Sequence, residues 1–223
     1  MIKDFYKQTA PKMPKLFLGY FLCALGITMM YNARSLGLGP WDVLHTGVMN
    51  HTPLTFGQTS QLTGLVLVIL SYFLGILAGI GTVLNVIIVG IIIDLINKSS
   101  LIFTPETFIG QLVLLEAGVW VLSLGIYFYL KPGLGAGPRD GLMIGLVKKL
   151  NLPVSVVKTA IEITAVIAGA MLGGSVGVGT VVVALTQGYA IQTVFKLGKY
   201  DTKIASHRSF KDEILLLKNK RYM

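Results

Sequence analysis

Charge is what this sequence has least of. Only 13% of its 223 residues are Asp, Glu, Lys or Arg, where a soluble domain carries about 25%. None of these lies between Val43 and Ile93. A stretch of that length holds two membrane crossings of roughly 20 residues each, with a turn between them. Cysteine is nearly absent too: Cys23 stands alone in an apolar run, which excludes an intrachain disulfide and a paired-cysteine metal site. No HExxH, GxSxG, GxxxxGK[ST] or repeated CxxC occurs. Zinc-protease, nucleophile-elbow and phosphate-loop chemistries therefore have no basis in the sequence.

What is abundant is apolar. Hydrophobic residues make up 53% of the chain and the mean hydropathy is +0.73, so water is not its main solvent. The apolar runs predict membrane helices near 16–33, 58–78, 82–97, 109–130, 154–174 and 180–195. The first run follows Lys12 and Lys15 as a signal peptide would, but no small-x-small cleavage site precedes Arg34; it reads as an uncleaved first helix. The expected class is an all-α integral membrane protein of about six transmembrane helices.

The formal charge of +9 is a topology signal rather than a nucleic-acid footprint. Basic residues cluster at Lys3–Lys15, Lys131–Lys149 and Lys196–Arg221, beside apolar segments. With the N-terminus inside, all three clusters fall on the cytoplasmic side and the outer loops keep little more than Arg34 and Lys98, as the positive-inside rule requires. The organisation expected is a cytoplasmic N-terminal arm (1–15), a first membrane repeat (16–98), an outer linker (99–108), a second membrane repeat (109–196) and a basic cytoplasmic tail (197–223).

The repeat is visible without gaps. Offsetting the sequence by 98 positions aligns Tyr31–Lys98 with Tyr129–Lys196 at 20 identities in 68 positions, and the identities cluster in two motifs rather than scattering as composition alone would make them. Leu36-Gly37-Leu38-Gly39-Pro40-Trp41-Asp42 matches Leu134-Gly135-Ala136-Gly137-Pro138-Arg139-Asp140. Gly75, Gly79, Gly81, Thr82 and Val83 match Gly173, Gly177, Gly179, Thr180 and Val181. Three crossings per half put the second copy upside down relative to the first, the arrangement of many secondary transporters. A rival count treats 40–56 and 138–153 as full spans, giving parallel halves; His45, Asn50 and His51, or Lys148 and Lys149, weigh against it.

The run Ala33-Arg34-Ser35-Leu36-Gly37-Leu38-Gly39-Pro40-Trp41-Asp42-Val43-Leu44, followed by Gly79-Ile80-Gly81-Thr82 and Ile92-Ile93-Asp94, resembles the YczE/YyaS/YitT group of bacterial membrane proteins over most of residues 16–198. The resemblance implies a bacterial inner-membrane protein. It also implies a short tail where YitT-type relatives carry a soluble C-terminal domain. It supplies architecture and no activity.

Chemistry must then be read from the polar residues. Proline suits the first turn of a helix, and an aspartate two residues later meets the positive end of its dipole. Gly39-Pro40-Trp41-Asp42 and Gly137-Pro138-Arg139-Asp140 thus predict two short re-entrant or interfacial helices. Their starts either hold a solute between the halves or are merely capped by the two aspartates. Glu162 falls near the middle of the fifth span, either as a functional carboxylate that joins the two turns in one central solute site or as an i, i+4 partner of Lys158. Glu116, Asn85 and Gln187 are further candidates for a pathway or for coupling. Asp94 and Lys98 read as an interfacial pair, and His45 and His51 as outward-loop histidines lacking a third ligand. Tyr200–Met223, with Ile214–Leu217 among charges, reads as a cytoplasmic amphipathic helix or partner-binding arm.

The reading is a secondary transporter or permease for a small polar solute, with an anionic group on it left open. Its expected partners are the lipid bilayer and that solute, with no nucleic acid, cofactor, metal or enzymatic reaction, and a homo-oligomer left open. The alternative is a non-transporting scaffold that acts through its tail.

Overall fold

The computed structural model describes residues 9–200 and 207–212. Lys3 and Lys7 of the arm and Ile214–Leu217 of the tail lie outside the described residues. Eight α-helices follow one another: α1 (Met13–Asn32), α2 (Pro40–Met49), α3 (Phe56–Phe73), α4 (Ile80–Ser99), α5 (Phe108–Leu130), α6 (Pro138–Leu150), α7 (Val154–Met171) and α8 (Val178–Leu197). Among the described residues, six helices are long and apolar enough to cross a membrane; α2 and α6 are not among them. The predicted spans are matched to within a few residues, and both short helices begin at the prolines that signal them. Outward-facing side chains such as Phe73, Met171, Leu185 and Leu197 are highly exposed, on a scale that suits lipid rather than water.

At the centre, α1 and α5 cross closely and antiparallel, with Gly26 facing Gly118 and Gly19 facing Gly125. A Cβ on Gly26 would stand 2.5 Å from the backbone nitrogen of Leu122 and 2.6 Å from the carbonyl of Gly118, so only glycine lets these backbones approach. Leu16, Tyr20, Cys23, Ile27 and Met30 meet Leu115, Val119, Leu122 and Tyr129 in the buried core around this crossing.

The remaining packing is reciprocal. α4 packs on α1 and α8 on α5, whereas the short helix α2 packs on α7 and the short helix α6 on α3. The loops interlock in the same sense. Gly37, at φ +101°, lies against Gly177, and Gly135, at φ +141°, lies against Gly79 and the hydroxyl of Thr82. Positive φ and backbone contact both favour glycine here. Thr82 Oγ1 donates to the carbonyl of Ala136 (2.6 Å), Gly81 N to that of Leu134 (2.8 Å) and Leu38 N to that of Ser175 (3.0 Å). The G-x-G-P and G-x-G-T motifs are therefore the two sides of one joint, made twice. Helix starts 40, 56 and 80 recur at 138, 154 and 178, the 98-residue offset of the sequence.

Asp94 departs from its expected role. Instead of an interfacial pair with Lys98, its carboxylate accepts from Gly57 N (2.8 Å) and from the Thr55 hydroxyl, satisfying the start of α3, where Thr55 and Gln58 also form the expected capping box. Free N–H groups at a helix start are a stronger attraction than a solvated lysine.

Candidate functional site

The reciprocal joint brings the two proline-started turns face to face. Trp41 and Arg139 occupy equivalent positions, each one residue after its proline. The Arg139 guanidinium lies over the Trp41 ring, 4.9 Å from its centroid. A planar cation on an aromatic face is attracted by the ring quadrupole. Asp42 and Asp140 both lie within electrostatic reach of Arg139. Trp41 and Asp42 of the first turn are thus brought to Arg139 of the second, whereas Gly39 lies against Val183 of α8, Gly137 against Tyr129 of α5 and Pro138 against Gly64 of α3.

Gly39 and Gly137 are the N-caps, and Asp42 and Asp140 stand in the first turn of each helix. Asp140 accepts a hydrogen bond from Tyr129 Oη at 3.2 Å. Asp42 lies 3.5 Å from His45 Nδ1, and both side chains are buried, at 7% and 1% exposure. His45 is therefore not an outward-loop residue: α2 carries it inward, edge-on to Phe56 with ring centroids 5.5 Å apart. Sequence reasoning missed it, although an i, i+3 spacing from Asp42 on a predicted helix was the available signal. His51 is exposed, as expected.

The other candidates lie apart from this pair of turns. Glu162 and Lys158 face each other along α7 at 3.9 Å, half exposed, and Glu162 is not among the groups acting on Arg139. Glu116 accepts from Thr186 Oγ1 at 2.9 Å, tying α5 to α8. Asn85 and Gln187 are half-buried in α4 and α8. Among the described residues no group of three His, Cys, Asp or Glu side chains is placed to hold a metal ion.

A second polar region adjoins the Asp140 turn. The tail returns to the bundle: Arg208 N donates to the carbonyl of Gly133 and Phe210 N to that of Ala78, both at 2.9 Å. Tyr200 Oη and His207 Nε2 are 3.5 Å apart, and both side chains feel the Asp140 charge. Burial raises the Tyr200 hydroxyl above its ordinary range and lowers His207 below that of a free histidine. Lys12, Lys131, Gly133, Tyr200 and Arg208 line a polar recess of about 300 Å³ at this end.

The family described as "Family of unknown function (DUF6198)" matches residues 11–196, which contain both turns and the six long helices but for Leu197 at the end of α8. The chain belongs to this family. It is 32% identical over 177 residues to the uncharacterized membrane protein YczE of Bacillus subtilis (strain 168), covering 79% of this chain and 81% of that relative. It is 33% identical over 157 residues to an uncharacterized protein of Haemophilus influenzae, covering 70% of this chain and 71% of that one. A shorter match, 40% identical over 55 residues, is to the uncharacterized protein YyaS of Bacillus subtilis and covers 25% of this chain and 27% of that one. No solved structure matches. The resemblance read from the L-G-x-G-P-W-D stretch is thereby borne out, and the protein is a multi-helical membrane protein.

Proposed function

We propose that the chain is a small secondary transporter of the cell membrane, built from two inverted repeats, that moves a small polar solute bearing an anionic group. The observation that carries this reading is the stacking of Arg139 on Trp41, which joins the equivalent positions of two broken-helix turns. Paired helix breaks at the interface of inverted repeats are where such transporters hold their solutes. The antiparallel α1–α5 crossing and the reciprocal loop joint support the inversion. Both termini and Lys148–Lys149 then face the cytoplasm, while His51 faces outward. A guanidinium is suited to a carboxylate or phosphate group. Glu162 with Lys158, Glu116 with Thr186, Asn85 and Gln187 belong to this reading as pathway residues outside the central site.

A thermal-shift screen of carboxylate and phosphate metabolites on the purified chain tests the proposal, because a solute that binds the folded state stabilises it. The expected result is one chemical series of stabilisers whose shift is lost in Asp42→Ala, Asp140→Ala and Arg139→Gln alike, and which is taken up by proteoliposomes. Variants that lower the melting temperature while leaving the ligand shift intact would reduce the turns to structural elements. A protein acting as a scaffold would instead tolerate these substitutions and fail on deletion of the tail.

A further inference from the structure

We infer that Asp42 and His45 together form a buried proton-binding site, with His45 Nε2 as the atom that takes the proton. The link from this proton to solute binding rests on the transport reading above; the site itself does not.

The argument starts from hydrogen-bonding capacity. An ionised carboxylate only accepts, so Asp42 at 3.5 Å from Nδ1 favours the neutral tautomer of His45 with its hydrogen on Nδ1, which leaves a lone pair on Nε2. That atom is fully buried and has no hydrogen-bond partner among the described residues; Nδ1 also falls short of a well-formed bond. The bare Nε2 is the ring atom open to a proton, and the Asp42 carboxylate beside the ring is what offsets the charge it brings. A proton from solvent on Nε2 converts the imidazole to imidazolium, which pairs with the adjacent Asp42 carboxylate.

The surrounding charges give that proton a purpose. Asp42 on the same helix and Arg139 from α6 are the charged groups that act on His45. From α3 it meets the Phe56 ring, backed by Tyr31. Of the acids and bases on the helices packed around α2, Asp94 is engaged with Thr55 and Gly57, and Lys158 with Glu162. Around the two turns, Arg139 is thus one positive charge beside the carboxylates of Asp42 and Asp140, an excess of one negative charge. One proton on His45 cancels the excess. The repeat does not copy the device, since Met143 stands where the 98-residue offset would place a second histidine.

Trp41, one helical turn before His45, is a built-in reporter, because an imidazolium quenches a neighbouring indole. Trp120→Phe leaves Trp41 as the remaining tryptophan, and its emission is followed against pH in lipid nanodiscs with no solute present. The expected result is a single titration below the ordinary histidine range, because burial outweighs the Asp42 carboxylate beside the ring. It should vanish in His45→Gln, move to lower pH by about one unit or more in Asp42→Asn, tenfold in proton affinity, and move to higher pH in Arg139→Gln. Should His45→Gln not fold, the opposed shifts of the other two variants decide, with the nitrogen NMR signals of labelled histidine as the direct check. A flat emission profile, a titration that survives His45→Gln, or a midpoint unmoved by Asp42→Asn would overturn the proposal. A clear titration in a protein that moves no solute would leave the proton site standing and sink the transport reading. Solute uptake by a protein with a flat profile would do the reverse.

Discussion

Gly39 and Gly137 hold the same backbone angles, φ −61° and ψ 159°, yet the carboxylates three residues further on keep different company. Asp42 faces a buried histidine, and Asp140 takes a tyrosine hydroxyl. Tyr31 and Tyr129 are equivalent and identical, but Tyr129 reaches Asp140 while Tyr31 stacks on Phe56 at 4.4 Å and carries Arg34 over its ring. The tail hydrogen-bonds beside the second turn. Backbone symmetry has been kept where glycines touch backbone, since any side chain there collides. Side chains that point into the shared space have been free to diverge, so one turn supplies a cation and the other an aromatic platform and a titratable pair.

The largest effect that breaks the comparison is expected at Gly90 and Gly188, equivalent positions in α4 and α8. A Cβ on Gly90 would press on the Gln61 side chain and stand 2.6 Å from the carbonyl of Gly57, whereas one on Gly188 meets nothing within 4 Å. Gly90→Ala should therefore destabilise the protein by about 1–3 kcal/mol. Gly188→Ala should be neutral or stabilising by up to about 1 kcal/mol, because alanine is the better helix former. Unfolding in mixed detergent measures both. Equal losses at the two sites would mean that α8 is packed as tightly as α4.

A smaller effect sharpens the symmetry at the centre. Trp41→Arg or Arg139→Trp alone removes a cation–π contact of about 0.5–2 kcal/mol, whereas the exchange Trp41→Arg with Arg139→Trp restores it with the partners reversed. Stability of the double variant above both single variants is the expected outcome of the thermal melts. If the losses simply added, the two turns would not be interchangeable frames.

Much of this was legible in the sequence because the signals are local. Pro40 and Pro138 announce helix starts, apolar runs announce spans, and a repeated G-x-G-P-x-D with G-x-G-T announces a duplication. What the sequence did not disclose is pairwise. That the G-x-G-P of one half docks on the G-x-G-T of the other depends on the α1–α5 crossing. So do the meeting of Trp41 with Arg139 and the burial of His45. Asp94 was misplaced for the same reason: its partners, Thr55 and Gly57, belong to another helix, and an i, i+4 rule looks only along its own.

The smallest expected effect lies where the halves differ most, at the tail beside the second turn. His207 is held below the ordinary histidine range by burial, so docking of residues 207–210 favours its neutral form. The undocked segment binds a proton more readily. Docking is therefore at full strength above about pH 6.5 and weakens as the pH falls through that value toward the docked pKa. Hydrogen exchange at the Arg208 and Phe210 amides, which donate to Gly133 and Ala78, reads this directly once intrinsic rates are removed. Protection should decline with acid in the wild type and stay level in His207→Gln, while the α1–α5 core keeps its protection throughout. The Trp41 titration should be untouched by His207→Gln, because the two histidines serve different turns. A coincident change in both signals would mean that one proton acts on both turns, and the separation drawn between them would fall.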